Sequence, residues 1–270
     1  MQIDVFQAAI LGTIHGLTQF LPISSRAHLI LIPWLLGWPN PGLTFDVALH
    51  LGTLAALLIY FFKDWVHLTT SAFRIFKNPE DHDARLALYI ILGTIPGGIA
   101  GLLFDHLEYQ ISTPTVTAVM LIAVALLMRF AEISGRRKTD LSTIRLSDGM
   151  MIGFAQALAI IPGVSRTGIT ITAGLFRGMT RKAAAQFSFL LSAPIIAGAV
   201  VKTMIDLAIG GPPDQSIPLI VGIIVSAFWG VISIAAMMYY LQNRSTFVFV
   251  NYRIVLGVAV LILGYFWGMH

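Results

Sequence analysis

Long apolar runs dominate the chain, and their lengths predict membrane-spanning helices. Six runs reach or approach the roughly 20 residues that a helix needs to cross a bilayer, at about 43–62, 84–104, 114–134, 183–209, 217–241 and 248–268. Two further apolar stretches, 4–38 and 147–178, are interrupted near the middle by a short polar segment. We interpret each as a helix pair that enters the membrane and turns back, because each half is too short to span comfortably. The alternative for the first stretch is that 4–23 spans fully and its turn lies at the surface.

The two interrupting segments share the pattern Pro-x-x-Ser-Arg. The first runs from Pro22 to Arg26, and the second runs from Pro162 to Arg166, 140 positions later. Proline ends the helix before it, and an arginine at membrane depth is so costly that it marks an anion-binding site by default. The repeat therefore predicts a duplicated membrane protein whose two broken helix pairs meet at a common site.

Composition agrees with the membrane class and excludes several others. Hydrophobic residues make up 57% of the chain and charged residues 11%, whereas soluble domains carry about 25% charged residues. The chain has no cysteine, which excludes disulfides, thiolate chemistry and cysteine-based metal sites. The net charge of +4 is modest and the basic residues cluster in loops, so we expect no nucleic-acid partner.

The distribution of lysine and arginine orients the chain. Basic residues occupy the segments 63–85, 136–145 and 177–182 and the last loop, whereas the loops near 37–42, 105–113 and 210–216 contain none. The positive-inside rule places the first group in the cytoplasm, and Arg129 and Arg253 are expected to anchor the inner ends of spans. Each half then has three spans, and this odd number inverts the second half relative to the first. We predict an all-α, polytopic membrane protein in a single domain, 1–270. It is an inverted-topology repeat of two halves, about 1–140 and 141–270, each a re-entrant helix pair plus three transmembrane helices.

Polar side chains surround the first break. His15 and Gln19 are four apart and so share one helix face that points towards it. The group also includes Thr18, Ser24, Ser25, Arg26 and His28. Such residues often hydrogen-bond between membrane helices, and we assign that role to Thr18. Ser25, Arg26 and His28 together favour a site, because arginine and histidine rarely serve only as glue at this depth.

The second break carries the signature of a phosphate site. A new helix begins after it, and the free N–H groups and positive dipole end of such a helix bind anions. Arg166 adds a bidentate fork, Ser165 and Thr167 add hydroxyl donors, and Gly163 permits close backbone approach. A turn with a helix cap explains the small residues but does not explain the arginine.

A third polar set consists of Asp46 and His50, which lie four apart near the outer end of a span. Asp46 can orient a histidine or hold a metal cation. The alternative is a solvated helix end with a capping aspartate. The sequence leaves both open.

The chain resembles a known family, the bacterial undecaprenyl-diphosphate phosphatases or bacitracin-resistance proteins. The match runs over nearly the whole chain and is densest at 153–159 (GFAQALA) and 162–168 (PGVSRTG), with further matches at 20–25 and 45–53. The resemblance implies a multi-pass hydrolase of the bacterial inner membrane. It implies conversion of undecaprenyl diphosphate to undecaprenyl phosphate and phosphate at the outer face, which recycles the lipid carrier for peptidoglycan synthesis. It also implies a divalent cation, Mg²⁺ or Ca²⁺, and we expect that two copies can pair as a homodimer.

The resemblance assigns catalytic roles to Ser24, Ser25 and His28 and diphosphate binding to Ser165 and Arg166. The family usually carries glutamate where this chain has Gln19, and glutamine cannot take up a proton at neutral pH. Two functions follow. In the first, His15 serves as the base in an active enzyme, Arg26 adds a second cation, and Asp46 holds the metal. In the second, the protein binds or translocates a polyprenyl phosphate or related anionic lipid without hydrolysis.

Overall fold

Helices form the fold, which the computed structural model describes over residues 3–78, 80–210 and 216–266, with the backbone alone for 105–110 and 206–210. Eleven α-helices lie within these ranges. They are α1 (Val5–Gln19), α2 (Ser25–Leu36), α3 (Gly42–Tyr60), α4 (Phe62–Ala72), α5 (His82–Gln110), α6 (Pro114–Ser134), α7 (Leu146–Ala157), α8 (Arg166–Phe176), α9 (Arg181–Gly210), α10 (Ser216–Asn243) and α11 (Phe247–Phe266). Two short 3₁₀ turns, Leu141–Thr143 and Leu158–Ile160, flank α7.

Six of these helices are long and apolar enough to cross a membrane: α3, α5, α6, α9, α10 and α11. They coincide with the six predicted spans, which confirms a polytopic membrane protein. The predicted last span reached residue 268, and its end lies outside the described residues. Helix α4 was assigned to a loop by the sequence, but it forms directly after α3 and leaves Phe62 and Val66 exposed.

The two interrupted stretches form the predicted broken helix pairs. Helix α1 has 15 residues and α2 has 12, which correspond to lengths of about 22 and 18 Å. Helix α8 has 11 residues, or about 17 Å. All three are shorter than the hydrocarbon core of about 30 Å, so none of them crosses it alone. The chain breaks at 20–24 in the first pair and at 161–165 in the second.

The first helix of each broken pair packs closely against a long helix of the other half of the chain. A Cβ atom on Gly16 of α1 would lie 2.6 Å from the carbonyl oxygen of Ser226 on α10. A Cβ atom on Gly153 of α7 would lie 2.3 Å from the carbonyl oxygen of Gly93 on α5. Small residues therefore let the backbones touch, as membrane helices require.

These partners match between the halves. Helix α1 opens the first half and packs on α10, the second span of the second half, while α7 opens the second half and packs on α5, the second span of the first. The largest hydrophobic cluster also draws residues from both halves. The opposite orientation of the two halves in the membrane stays a prediction.

A buried carboxylate connects three helices at their predicted cytoplasmic ends. Glu132, near the end of α6, is 1% exposed and accepts hydrogen bonds from Arg181 on α9 and from Arg137. The hydroxyl of Thr246, just before α11, donates to the same carboxylate at 2.8 Å. The inner ends of three helices are therefore joined through one side chain.

Candidate active site

Each break is closed by a serine in a strained backbone conformation. Ser24 has φ 72° and Ser165 has φ 68°, and Arg137 is the only other non-glycine residue with positive φ in the described part of the chain. Such a conformation costs about 1–3 kcal/mol and persists only where the surroundings enforce it. Each serine caps the helix that follows: the Ser24 Oγ accepts from the N–H of Ala27 at 3.3 Å, and the Ser165 Oγ accepts from Gly168 at 3.1 Å.

The caps correct the alignment of the repeat. The pattern Pro-x-x-Ser-Arg pairs Ser25 with Ser165, but the capping serine of the first break is Ser24. The second break has one more residue between its proline and its cap. Ser25 is therefore the counterpart of Arg166 as the first residue of its helix, and Arg26 is not the counterpart of Arg166.

The two breaks are in direct contact. The hydroxyl of Thr167, on α8, donates to the backbone carbonyl of Gln19 at 3.0 Å. The side chain of Gln19 in turn accepts a hydrogen bond from the Ser25 hydroxyl at 2.6 Å. Three residues predicted for the site, two from the first break and one from the second, are thus joined in one network. Thr18 donates to Ile14 within its own helix, so the prediction that it bonds a neighbouring helix is wrong.

His28 faces back towards the first break, as predicted, but both of its ring nitrogens have partners. Nδ1 lies 2.8 Å from the carbonyl oxygen of Ser24 and Nε2 lies 2.7 Å from the hydroxyl of Tyr252. A carbonyl only accepts, so Nδ1 carries the proton and the neutral ring accepts from Tyr252 at Nε2. The sequence did not identify Tyr252 as part of the site.

Two further histidines, His15 and His50, pack against each other. His15 is fully buried, and its ring packs edge-to-face on that of His50 with 4.5 Å between centroids. Among the described residues, neither ring nitrogen of His15 has a hydrogen-bond partner. Arg26 and Arg166 both lie within electrostatic range of His50, and Arg166 also lies within range of His15. The predicted binding arginines of the two breaks therefore both act on His50 electrostatically.

A cavity on the predicted outer side of the protein reaches two of the candidate residues. Arg26 and Asp46 line it together with Trp34 and Trp38 at the end of α2. Its volume of about 240 Å³ lies below the range for drug-sized ligands, so it can take a head group but not a long chain. Asp46 lies in the second turn of α3 and does not cap it, which overturns the capping alternative. The ring of His50 bonds the backbone carbonyl of Asp46, at 2.8 Å, and not its carboxylate.

The described carboxylates and histidines offer few ligands for a divalent cation. No three histidine, aspartate or glutamate side chains in the described ranges are placed to hold a metal ion. Mg²⁺ and Ca²⁺ prefer oxygen ligands, and Asp46 is the one carboxylate lining the cavity. The strong positive charges here belong to arginines.

Two further residues belong to the region of the breaks: Gly163, in the second break, and Arg253, on α11. Gly163 has φ 89°, and a Cβ atom there would lie 2.3 Å from the carbonyl oxygen of Thr117 on α6, so only glycine fits. Arg253 was expected to anchor the inner end of α11, and this is wrong: its side chain is fully buried between the two breaks. An arginine within an apolar helix stands out in the sequence, but the direction in which its side chain turns does not.

The fold defines a polytopic membrane protein in which two broken helix pairs meet, with an arginine in the first turn of each second helix. The model of the family described as "Bacitracin resistance protein BacA" matches residues 8–259. The chain belongs to this family.

Curated relatives cover almost the whole chain. A protein of Geotalea daltonii named undecaprenyl-diphosphatase is 48% identical over 264 residues, which are 96% of this chain and 98% of the relative. A protein with the same name from Pelotomaculum thermopropionicum is 46% identical, and the alignment covers 96% of this chain and 96% of the relative. Another from Geobacter sulfurreducens is 47% identical, and the alignment covers 96% of this chain and 97% of the relative.

Proposed function

We propose that this chain hydrolyses undecaprenyl diphosphate to undecaprenyl phosphate and inorganic phosphate, which recycles the lipid carrier of cell-wall synthesis. The observation that carries the proposal is the junction of two helix N-termini. The starts of α2 and α8 meet at Gln19, because the Ser25 hydroxyl of α2 donates to its side chain and the Thr167 hydroxyl of α8 donates to its backbone carbonyl. Arg26 is the second residue of α2, and Arg166 is the first residue of α8. Helix N-termini and guanidinium groups are the groups that bind phosphates. The substrate in this proposal is taken from the name of the relatives, undecaprenyl-diphosphatase.

Ser25 is the nucleophile in this proposal. Its Oγ attacks the terminal phosphorus and forms an O–P bond, while the bond from that phosphorus to the bridging oxygen breaks and undecaprenyl phosphate leaves with the electron pair. Water then cleaves the phosphoserine, which releases phosphate and restores the hydroxyl. Arg166 and the N–H groups at the start of α8 stabilise the charge on the phosphoryl oxygens.

The proton of Ser25 needs an acceptor other than Gln19. The amide orients the hydroxyl at 2.6 Å but does not take its proton. His28 accepts it at Nε2 once the Tyr252 hydroxyl has given up its bond to that nitrogen, and the Ser24 carbonyl holds the charged ring at Nδ1. His15 is the second candidate base, since its ring nitrogens are available to a water molecule or a substrate oxygen.

The substrate enters from the outer leaflet of the bacterial inner membrane. The cavity is lined at the ends of α2, α3 and α6 that charge asymmetry places outside. Arg26 lines this cavity and adds positive charge along the path. The family's divalent cation and the homodimer stay predictions, and no step above is routed through a metal.

One observation favours the second function, in which the protein binds or translocates a polyprenyl phosphate without hydrolysis. The nucleophile is hydrogen-bonded to an amide where the family usually places a carboxylate. An inverted repeat with broken helices is also a transporter architecture.

The deciding experiment is phosphate release from undecaprenyl diphosphate by the purified chain in liposomes. Ser25→Ala and Arg166→Gln are expected to lower the rate by at least about 10²-fold, because each removes a group that contacts the reacting phosphate. Ser134→Ala, at an exposed serine at the inner end of α6, is the matched control and is expected to keep the wild-type rate. Full activity in both site variants would contradict the proposal. Movement of labelled lipid between leaflets without phosphate release would establish the second function instead.

A further inference from the structure

Arg253 occupies an unusual place for an arginine. It is the seventh residue of the apolar helix α11, about 10 Å from the helix end, and its side chain is fully buried. No carboxylate in the described part of the chain pairs with it. A guanidinium in such surroundings is expensive unless its donors are all used.

The donors of Arg253 go to backbone carbonyls in three separate segments. Nη1 donates to Pro22 in the first break at 3.1 Å, and Nη2 donates to Gly163 and Val164 in the second break at 2.8 and 3.1 Å. On α6, Nε donates to Leu121 at 3.1 Å and Nη2 donates to Met120 at 3.4 Å. One side chain thus joins both breaks to a continuous helix.

The bonds of Arg253 connect the two breaks, whereas each serine cap acts within a single break. Ser24 and Ser165 each hold the backbone of their own break, since each bonds a residue three positions later in the same helix. Arg253 fixes the first break relative to the second. The hydroxyl of Thr167, which bonds the carbonyl of Gln19, adds a bond between the two broken pairs beside it. Irregular backbone at membrane depth also needs donors from the protein, and a guanidinium supplies five.

We propose that Arg253 is a positioning residue that sets the distance between Ser25 on the first break and the phosphate held at Arg166 on the second. This rests on the proposed hydrolysis. Attack requires the reacting atoms to lie about 3–3.5 Å apart, and a displacement of about 1 Å can cost about 10²-fold in rate. Substrate binding depends mainly on Arg166 and the N–H groups at the start of α8, whereas the bonds of Arg253 go to backbone carbonyls.

Arg253→Lys tests this because lysine keeps the charge but concentrates its three donors on one atom, which cannot reach both breaks. Gly168→Ala is the second variant: a Cβ atom there would lie 3.1 Å from Nη1 of Arg253 and also 3.1 Å from the Cβ of Ser165, so it shifts the guanidinium against the cap of the second break and leaves the donors of Arg253 intact. Arg129→Lys is the matched control, at an exposed arginine on α6 that stacks on Phe247.

The measurement separates positioning from folding. Titration with farnesyl methylenediphosphonate, a diphosphate lipid that cannot be hydrolysed, counts the competent sites and gives their affinity, and phosphate release is then expressed per site. In Arg253→Lys we expect unchanged affinity and a kcat per site about 10²-fold lower, with a smaller loss in the same direction for Gly168→Ala.

The outcomes distinguish the two proposals. A loss of sites with unchanged kcat per site in both variants would show that Arg253 only stabilises the fold, and it would overturn the inference. Unchanged kcat per site with all sites retained would overturn it equally. A wild-type chain that binds the analogue but releases no phosphate would overturn the proposed hydrolysis, and this inference with it.

Discussion

Replacing Gln19 with glutamate would place a proton acceptor directly on the nucleophile. The Ser25 hydroxyl donates to Oε1 of Gln19 at 2.6 Å, at the short end of the 2.6–3.2 Å range over which a base takes a proton. The change swaps only an NH₂ group for an oxygen, so the hydrogen bond and the packing survive. The Thr167 bond to the backbone carbonyl at position 19 is also independent of this side chain.

The expected gain follows from the chemistry of that contact. General base catalysis by a positioned group contributes about 10²–10⁴-fold, and the native chain already obtains part of this from histidine. We therefore expect Gln19→Glu to raise kcat by about tenfold or more. Position 19 is the last residue of α1, where a negative charge opposes the helix dipole at a cost of about 0.3–1 kcal/mol. The variant should be more active and slightly less stable.

The assay is phosphate release from undecaprenyl diphosphate, with thermal unfolding measured on the same preparations. Gln7→Glu is the matched control, because it makes the same substitution in the capping box at the opposite end of α1 and should not change the rate. A folded Gln19→Glu variant with the wild-type kcat would refute the argument, since it would show that the Ser25 proton does not leave towards position 19. Activity that appears only in the variant would show that no histidine of the native chain serves as the base.

Three other changes test the site and its frame. Tyr252→Phe removes the partner of Nε2 on His28, and we expect kcat to fall about tenfold with KM nearly unchanged, in the same assay. Glu132→Ala should destabilise the protein by about 3 kcal/mol in SDS-unfolding experiments. This is the lower end of the cost of breaking a buried ion pair, because the arginine partners of Glu132 keep some contact with water. Gly153→Ala should cost about 1–3 kcal/mol, since its Cβ would lie 2.3 Å from a carbonyl oxygen of α5, whereas Gly98→Ala meets no atom within 4 Å and should be neutral or stabilising. Equal stability of the two glycine variants would contradict the close packing of α5 and α7.

The sequence predicts the helices well because a bilayer demands apolar runs of a fixed length, and proline marks where such runs break. It predicts the local content of the site for the same reason: polar residues at membrane depth are costly and stand out. The contact of His15 with His50 joins residues 35 positions apart, and its geometry depends on how α1 packs against α3. Periodicity along either helix contains no information about that distance.

Arg253 shows a different limit of the sequence. An arginine seven residues into a span can snorkel to the interface or can turn inward, and the two choices have the same local pattern. The inward choice depends on the unpaired carbonyls of the two breaks, which lie far away in the chain. Only the assembled fold shows that Pro22, Gly163 and Val164 present their carbonyl oxygens to one point.

The corrected alignment of the repeat changes how the two halves divide the chemistry. When Ser24 and Ser165 are matched as caps, the first helical position carries Ser25 in one half and Arg166 in the other. A pair of identical breaks would offer two equal anion sites, which suffices for binding but does not distinguish an attacking group from a holding group. A hydroxyl on one helix N-terminus and a guanidinium on the facing one supply those two different roles. The asymmetry at this single position therefore favours hydrolysis over simple binding, and it explains why the relative placement of the two breaks, which Arg253 controls, matters more to the reaction than the structure of either break alone.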